Sequence, residues 1–245
     1  MSENTTDWRD LADRLTSVLK LAAPPIAISF QMQADSSVAG LGDAIAAPNE
    51  HGRTGQVPAG CVFWIKATDR VFSTVAKDHA NCSVGSYTHG FLSLAEAATK
   101  DDVKAVLEAE WVGPADVQSL PHLSEKPHTV VYGPLAAITG EPDVVLVRIN
   151  GLALMTLKDA FPKIAIEGKP QCHIIPMAKQ QGEPVASLGC ALSRARTGMK
   201  AEEMTCAIPA PGLSGIVERL EQAAGLDRAM ARYAAADAKR FAPSA

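Results

Sequence analysis

The chain has 245 residues, of which 47% are apolar, and its formal net charge at pH 7 is -4. This apolar content is enough to bury a sizeable core, so a disordered chain is not expected. The charges are mixed and only 5% of the residues are aromatic, which argues against a nucleic-acid-binding face. No apolar window is long enough to span a membrane, and the acidic, polar start is unlike a secretory signal, so we expect a cytoplasmic protein.

The first half of the chain is predicted to begin with a helix over residues 8–22, with Asp7 as its N-cap. A buried strand over residues 26–30 follows, and the Gly- and Pro-rich residues 31–60 are predicted to form a long loop. The elements predicted after this loop are a helical turn at 61–66, a strand at 71–75, an irregular or helical segment at 83–91, and helices at 92–98 and 101–111.

The second half repeats the alternation of strands and helices. Its predicted elements are strands at 129–132 and 144–149, a helix at 152–161, strands at 163–167, 184–188 and 204–208, and helices at 213–224 and 226–238 separated around Gly225. Because strands and helices interleave, the predicted fold class is α/β, with a mixed-sheet α+β arrangement left open. We expect one domain over residues 1–245.

Residues 78–90 are unusually rich in metal-capable and small side chains, including His79, Cys82, Gly85, Tyr87, His89 and Gly90. A core element would instead carry large apolar side chains at regular spacing. Gly85 and Gly90 would let the backbone approach a bound group closely. This stretch therefore predicts a binding segment.

A similar pattern occurs twice in the chain. Cys61 and Cys82 are 21 residues apart, Cys172 and Cys190 are 18 residues apart, and each pair follows an apolar strand candidate. We interpret the pattern as a diverged duplication of residues 24–98 and 143–212, whose halves face each other across a pseudo-twofold axis. Side-chain identity between the halves is low, so chance patterning is the alternative.

The duplication hypothesis brings the thiols of Cys61, Cys82, Cys172 and Cys190 together. In a reducing compartment, cysteines favour metal binding, catalysis or burial over disulfides, and soft thiolates select zinc or iron–sulfur clusters. We predict that these four residues bind an iron–sulfur cluster of the 4Fe–4S type. No Cys-x-x-Cys spacing occurs, so plain burial is the alternative. Cys206 has no equivalent in the first half and is predicted to be a core residue.

Other residues near the cysteines are candidates for supporting roles. His89 and Arg194 are the catalytic candidates, as a general acid or base and as a grip for an anionic substrate. The candidates for cofactor contact are His79, Gly85, Tyr87 and Gly189. The alternative to these site roles is a structural one, in which the histidines are loop residues hydrogen-bonded to the backbone and the arginine lies on a surface turn.

The sequence resembles an uncharacterised prokaryotic family, domain of unknown function 169. The resemblance is carried by residues 19–30, by Cys61-Val62-Phe63-Trp64, by residues 74–90 around Cys82, and by Gly189-Cys190-Ala191-Leu192-Ser193-Arg194. It implies a soluble archaeal and bacterial domain and no settled reaction. It also implies that these residues form one site.

The residues leave several functions open. A cluster with four thiolates would transfer electrons or sense redox state, whereas one with three would present a Lewis-acidic iron to a small anionic substrate. The alternatives are a structural zinc in a module whose loop 31–60 recognises a partner, haem bound through His79, His89 or a cysteine, and a metal-free enzyme with Cys82 as nucleophile. The expected partner is a redox protein or a small substrate, and a homo-oligomer is left open.

Overall fold

Seven strands and ten α-helices alternate in the computed structural model, which describes residues 6–33, 37–42, 59–168 and 170–241. The strands are β1 (Ile26–Gln31), β2 (Phe72–Thr74), β3 (Thr129–Pro134), β4 (Val144–Ile149), β5 (Ala165–Glu167), β6 (Val185–Ser187) and β7 (Met204–Pro209). The helices are α1 (Trp8–Leu19), α2 (Gly60–Lys66), α3 (Ser83–Thr88), α4 (Leu94–Ala98), α5 (Asp101–Glu108), α6 (Pro114–Gln118), α7 (Gly151–Ala160), α8 (Ile174–Gln181), α9 (Ala191–Thr197) and α10 (Leu213–Arg240). Two 3-10 turns cover Ala76–His79 and Leu135–Ala137. The predicted α/β class is confirmed.

All seven strands belong to one sheet, in the order β2-β3-β1-β4-β7-β6-β5. The strands β1 and β4 form an antiparallel pair in the middle. Outward from this pair, β3 and β2 follow on one side and β7 and β6 on the other, each antiparallel to its inner neighbour, and β5 adds a parallel edge next to β6. From the middle outward, the order β1-β3-β2 mirrors β4-β7-β6, but β3 lies outside the first predicted repeat of residues 24–98. The duplication and its pseudo-twofold axis stay predictions.

One face of the sheet is covered by α1, α7 and α10. Successive side chains of a strand point to opposite faces, so Ala27, Val145 and Val147 share this side. They pack with Leu15 of α1 and Val217 of α10, among other apolar residues. This core contains none of the four cysteines of the two predicted pairs. This core packs the sheet against α1, α7 and α10.

The opposite face is covered by α2 and α8. The strand residues Ile28 and Leu146 lie on this face and pack in one cluster with Trp64 of α2 and Ile174 of α8. Cys61 and Cys172, one from each half of the chain, belong to or border the same cluster. Both cysteine-bearing segments therefore lie on one side of the sheet.

Helix α1 follows its sequence signals closely at the start. The Asp7 side chain accepts hydrogen bonds from the backbone N–H groups of Arg9 and Asp10, which confirms the predicted N-cap. The helix ends at Leu19 rather than at residue 22, because Lys20 adopts a left-handed conformation with φ of 51°. Its N–H then bonds the carbonyl of Thr16 and closes the helix.

The prediction of two C-terminal helices is wrong. Helix α10 runs through Gly225 without a break and has 28 residues. A glycine inside a helix costs only about 1 kcal/mol relative to alanine, and no proline interrupts the segment. The structure also adds α6, which begins at Pro114 and was not predicted. None of the helices in the described ranges combines the length and the apolar character that crossing a bilayer requires.

The predicted loop over residues 31–60 falls largely outside the described residues. Within its described part, Gly40 forms an isolated parallel bridge with Ser73 of β2. The Ser73 backbone N–H also donates to the carbonyl of Ala39. This contact brings residues 37–42 to the edge of the sheet beside β2.

Candidate metal centre

All four paired cysteines lie at the start of a helix. Cys82 and Cys190 are the N-caps of α3 and α9, Cys61 is in the first turn of α2, and Cys172 lies two residues before α8 begins. The positions correspond between the halves, with Cys61 matching Cys172 and Cys82 matching Cys190. The backbone N–H groups of a first helical turn lack partners inside the helix and can donate to a sulfur.

The four thiols lie in one neighbourhood, which we call the thiol site. Burial raises the pKa of Cys172 well above its usual value, and the thiols of Cys82, Cys190 and Cys61 raise it further. Burial followed by the same kind of interaction with Cys61 and Cys190 raises the pKa of Cys82 to about 12. Burial also raises the pKa of Cys61, and Cys190 adds to it. Charge interactions weaken with distance, so thiols that act on one another in all pairs must be neighbours.

The neighbouring thiols do not converge on a single ion. Within the described ranges, no group of three or more His, Cys, Asp or Glu side chains is arranged to hold a metal ion. A structural zinc would need four ligands around one point, with sulfur at ~2.3 Å from the metal. In an iron–sulfur cluster each thiolate binds its own iron, so the cysteine sulfurs lie farther apart than those around a single zinc ion.

Groups that influence the thiols come from the opposite half of the chain. Ser193 of the second half acts to lower the pKa of Cys61 in the first, and Thr88 of the first half acts to lower the pKa of Cys172 in the second, although burial raises both. Helix α2 also packs directly against α9. The thiol site is therefore built from both halves.

Gly85 is in close contact with the thiol of Cys82. A Cβ at Gly85 would lie 3.3 Å from the sulfur. Glycine at this position therefore lets the first turn of α3 approach the Cys82 sulfur. Whether a cofactor makes the same contact stays a prediction.

His79 is buried, and one of its ring nitrogens is hydrogen-bonded while the other has no hydrogen-bond partner among the described residues. Its Nε2 lies 2.9 Å from the hydroxyl oxygen of Thr74, which itself lies 3.2 Å from the carbonyl oxygen of Val130. A carbonyl only accepts, so Thr74 donates to Val130 and accepts from His79 Nε2–H. His79 Nδ1 is then left with a free lone pair. The neighbouring Asp78 side chain accepts from the backbone N–H of Val75.

His89 is also buried with one ring nitrogen hydrogen-bonded and the other without a partner among the described residues. Its Nδ1 lies 2.9 Å from the carbonyl oxygen of Gly85 and must carry the proton, so Nε2 presents the lone pair. Burial lowers the pKa of His89 to about 4, and burial together with His89 lowers the pKa of His79 well below its usual value. Both rings are neutral at pH 7. His89 can accept a proton or bind a metal at Nε2, but it has no proton there to give.

Unsatisfied polar atoms gather on the elements around the thiol site. The buried side-chain atoms that have no hydrogen-bond partner among the described residues include Trp64 Nε1, His79 Nδ1, His89 Nε2, Tyr132 Oη, His173 Nδ1 and Arg196 Nη1. Buried polar atoms are nearly always satisfied in native proteins, so such a group requires an explanation. An additional bound group at this position would provide one.

A narrow cavity opens onto two of the thiols. Cys82 and Cys190 line it, and most of the remaining wall is apolar, including Trp111 and Leu192. Its volume is about 30 Å³. This is little more than the space for one water molecule, so the thiols are shielded from bulk solvent on this side.

Two other predicted site residues, Arg194 and Gly189, contact each other or the nearby backbone. The guanidinium of Arg194 donates to the carbonyl oxygens of Leu188 at 3.0 Å and Glu203 at 2.9 Å. Gly189 has a φ of 114°, and a Cβ there would lie 3.0 Å from Arg194 Nη2. Arg194 and Gly189 thus shape the chain on either side of Cys190.

Tyr87 and Cys206 also lie in structural environments. The Tyr87 hydroxyl is 3.1 Å from His122 Nδ1, and its ring packs with Ala97 and Leu120 in a small separate cluster. Cys206 is fully buried in the core behind the sheet, as predicted.

Sequence reasoning missed Tyr132 and Ser193. Tyr132 stands in an apolar strand and reads as an ordinary core residue, so no local signal marked it. Ser193 follows Cys190 by three residues, which is helical spacing, and this spacing could have indicated a shared face.

Comparison with known proteins gives one match. The model of the family DUF169, described as "Uncharacterised ArCR, COG2043", matches residues 14–219. This range contains all four cysteines and both buried histidines of the site. No curated protein and no solved structure matches the chain. The chemistry of the site has to be argued from its geometry.

Proposed function

Since this chain belongs to the DUF169 family, whose description names no reaction, we propose its function from the thiol site itself. Cys61, Cys82, Cys172 and Cys190 bind one iron–sulfur cluster of the 4Fe–4S type. With all four irons held by protein thiolates, the protein transfers electrons or senses redox state. The expected partner is a redox protein.

One observation carries this proposal: thiols from both halves of the chain lie together, since Cys82 and Cys190 line one cavity and Cys61 borders the apolar cluster that contains Cys172. Four neighbouring cysteines in separate segments are a donor set for soft metals. The unsatisfied polar atoms around them support the same conclusion.

Charge near the thiols also favours an anionic centre. Burial is the largest influence on the pKa of Cys61 and Cys82 and raises both, but Arg196 acts in the opposite sense on each and Arg148 does so on Cys61. A cluster with four thiolates carries net negative charge, and these guanidinium groups would offset it. Because the raised pKa values of Cys61, Cys82 and Cys172 keep these thiols protonated without a metal, loading releases protons and becomes easier as pH rises.

A redox role has more support than an enzyme acting on a small anion. Arg194, the predicted anion grip, donates to backbone carbonyls, and the cavity at Cys82 and Cys190 is mainly apolar. A metal-free cysteine enzyme has less support again, because burial raises the pKa of Cys82 to about 12 and thereby disfavours its thiolate.

The bare nitrogens of His79 and His89 favour one second candidate, a haem or another tetrapyrrole bound through an imidazole. Each ring has its other nitrogen anchored by a hydrogen bond, which is the usual state of a metal-binding histidine. This candidate does not use the four thiols together. An intense Soret absorption band in the purified protein would select it.

Anaerobic purification with iron, sulfide and zinc analysis tests the proposal. We expect about four irons and four sulfides per chain, with a broad charge-transfer absorption. Each of the substitutions Cys61→Ser, Cys82→Ser, Cys172→Ser and Cys190→Ser should lower the iron and sulfide content strongly, because each removes a ligand. Cys206→Ala is the matched control and should keep the wild-type content.

Two results would contradict the proposal. Protein that contains zinc and no sulfide would indicate a structural metal site. Protein whose iron content is the same in the four serine variants as in Cys206→Ala would show that the thiol site is not the ligand set.

A further inference from the structure

Tyr132 is a fully buried residue of β3 whose hydroxyl has no hydrogen-bond partner among the described residues. It stands opposite Ile28 of β1 and Phe72 of β2 in the sheet. Its side chain belongs to the apolar cluster that α2 and α8 cover. The ring therefore lies on the same face of the sheet as the thiol site.

The ring of Tyr132 is held firmly by other aromatic side chains. It stacks on Phe72 with 5.8 Å between ring centroids and packs against Phe63 at 5.6 Å. A phenylalanine would make the same contacts without a polar atom. Leaving a buried hydroxyl unbonded costs roughly 1–3 kcal/mol, so the oxygen is a cost unless it bonds to something else.

The surroundings of the hydroxyl indicate what that partner is. Burial raises the pKa of Tyr132, and the groups that raise it further are the thiols of Cys61 and Cys172, one from each half of the chain. The geometry agrees, because Tyr132 and Cys172 belong to one apolar cluster and Cys61 packs against that cluster. A phenol O–H is a donor, and thiolate or sulfide sulfur is an acceptor.

We propose that the Tyr132 hydroxyl donates a hydrogen bond to sulfur of the bound cluster, on the side of Cys61 and Cys172, and raises its reduction potential. The inference rests on the proposed function. Hydrogen bonds to the sulfurs are among the factors that set the potential of an iron–sulfur cluster. The reduced cluster is the more negative state, so a donor stabilises it more than the oxidised state.

The test is an anaerobic redox titration of Tyr132→Phe beside wild type and Tyr87→Phe. Tyr87 is a matched control, because its hydroxyl bonds to His122 in a separate cluster. All three proteins should contain the same iron and sulfide. The midpoint potential of Tyr132→Phe should shift to a more negative value, while that of Tyr87→Phe should stay at the wild-type value.

Unfolding of the same proteins after cluster removal separates this role from packing. Without the cluster, Tyr132→Phe should be as stable as wild type or more stable, since it removes an unsatisfied hydroxyl. With the cluster, it should gain less stability on loading than wild type gains. A variant that is equally destabilised with and without the cluster, or does not fold, would show a structural role and overturn the inference.

The remaining outcomes are also distinguishable. If the protein carries a cluster and Tyr132→Phe has the wild-type potential, the inference about Tyr132 is wrong and the proposed function stands. If wild-type protein contains no iron and sulfide, the proposed function is wrong and the inference falls with it.

Discussion

At the residue scale, the buried histidines make stability depend on pH. Burial lowers the pKa of His89 from 6.5 to about 4, so between these values the unfolded chain binds a proton that the folded chain does not. The contribution of His89 to the free energy of unfolding is therefore fully present above pH 6.5 and is lost as pH falls towards 4. Each pKa unit corresponds to roughly 1.4 kcal/mol, which gives a loss of about 3 kcal/mol.

The substitution His89→Asn tests this dependence, because asparagine can still donate to the carbonyl of Gly85. We expect the free energy of unfolding of the metal-free protein to fall less steeply between pH 7 and pH 4.5 in this variant than in wild type. His128 is exposed, so His128→Asn should keep the wild-type slope. Equal slopes in all three proteins would show that His89 is not charged on unfolding.

The candidate site was partly predictable from single residues. Cysteine is a recognisable metal ligand wherever it occurs, so Cys61, Cys82, Cys172 and Cys190 could be named from their spacing. Tyr132 could not, because a tyrosine in an apolar strand looks like any core residue until its neighbours are known. Arg194 was given a site role by its position next to Cys190, but its guanidinium reaches the carbonyls of Leu188 and Glu203.

At the scale of elements, two glycines should respond to alanine in opposite directions. Gly90 follows α3 with a φ of +76°, and a Cβ there would lie 2.8 Å from the carbonyl oxygen of Glu125. We expect Gly90→Ala to lower the free energy of unfolding by about 1–3 kcal/mol. Denaturant titration of the metal-free protein measures the change.

Gly215 is the matched control within α10. A Cβ at this position would meet nothing within 4 Å, and its backbone is helical. Gly215→Ala should therefore raise the free energy of unfolding by roughly 0.5–1 kcal/mol. Changes of the same sign in both variants would contradict the assignment of Gly90 to a strained turn.

Helices and strands were predicted well where the pattern was long and regular. Helix α1 and strands β1, β4 and β7 follow apolar periodicity that a single segment contains. The break predicted at Gly225 was wrong, because one glycine cannot end a helix whose neighbours all favour helix formation. The short helix α6 was missed, since five residues contain too little periodicity to recognise.

At the scale of the whole molecule, cluster loading should stabilise the fold, because the thiol site joins both halves of the chain. A group that binds only the folded state adds to its free energy of unfolding. We expect the loaded protein to unfold at a higher denaturant concentration than the same protein treated with a chelator under anaerobic conditions. Circular dichroism at 222 nm follows the transition.

Two variants check that the gain comes from the thiol site. Cys172→Ser should unfold at one denaturant concentration with or without iron and sulfide, since it lacks a ligand. Cys206→Ala should lose core packing but keep the difference between the loaded and the metal-free forms. A difference that survives in Cys172→Ser would place the stabilising group elsewhere.

The sequence by itself determined the α/β alternation, the family resemblance and the candidate ligands, because periodicity and residue type are local properties of the chain. Only the tertiary structure decided that both cysteine segments lie on one face of the sheet, with α2 packed against α9. It also placed Tyr132 in the same apolar cluster as Cys172, with Cys61 at its border. The reason is that these contacts depend on the order of strands in the sheet, which long-range packing sets and no local pattern encodes.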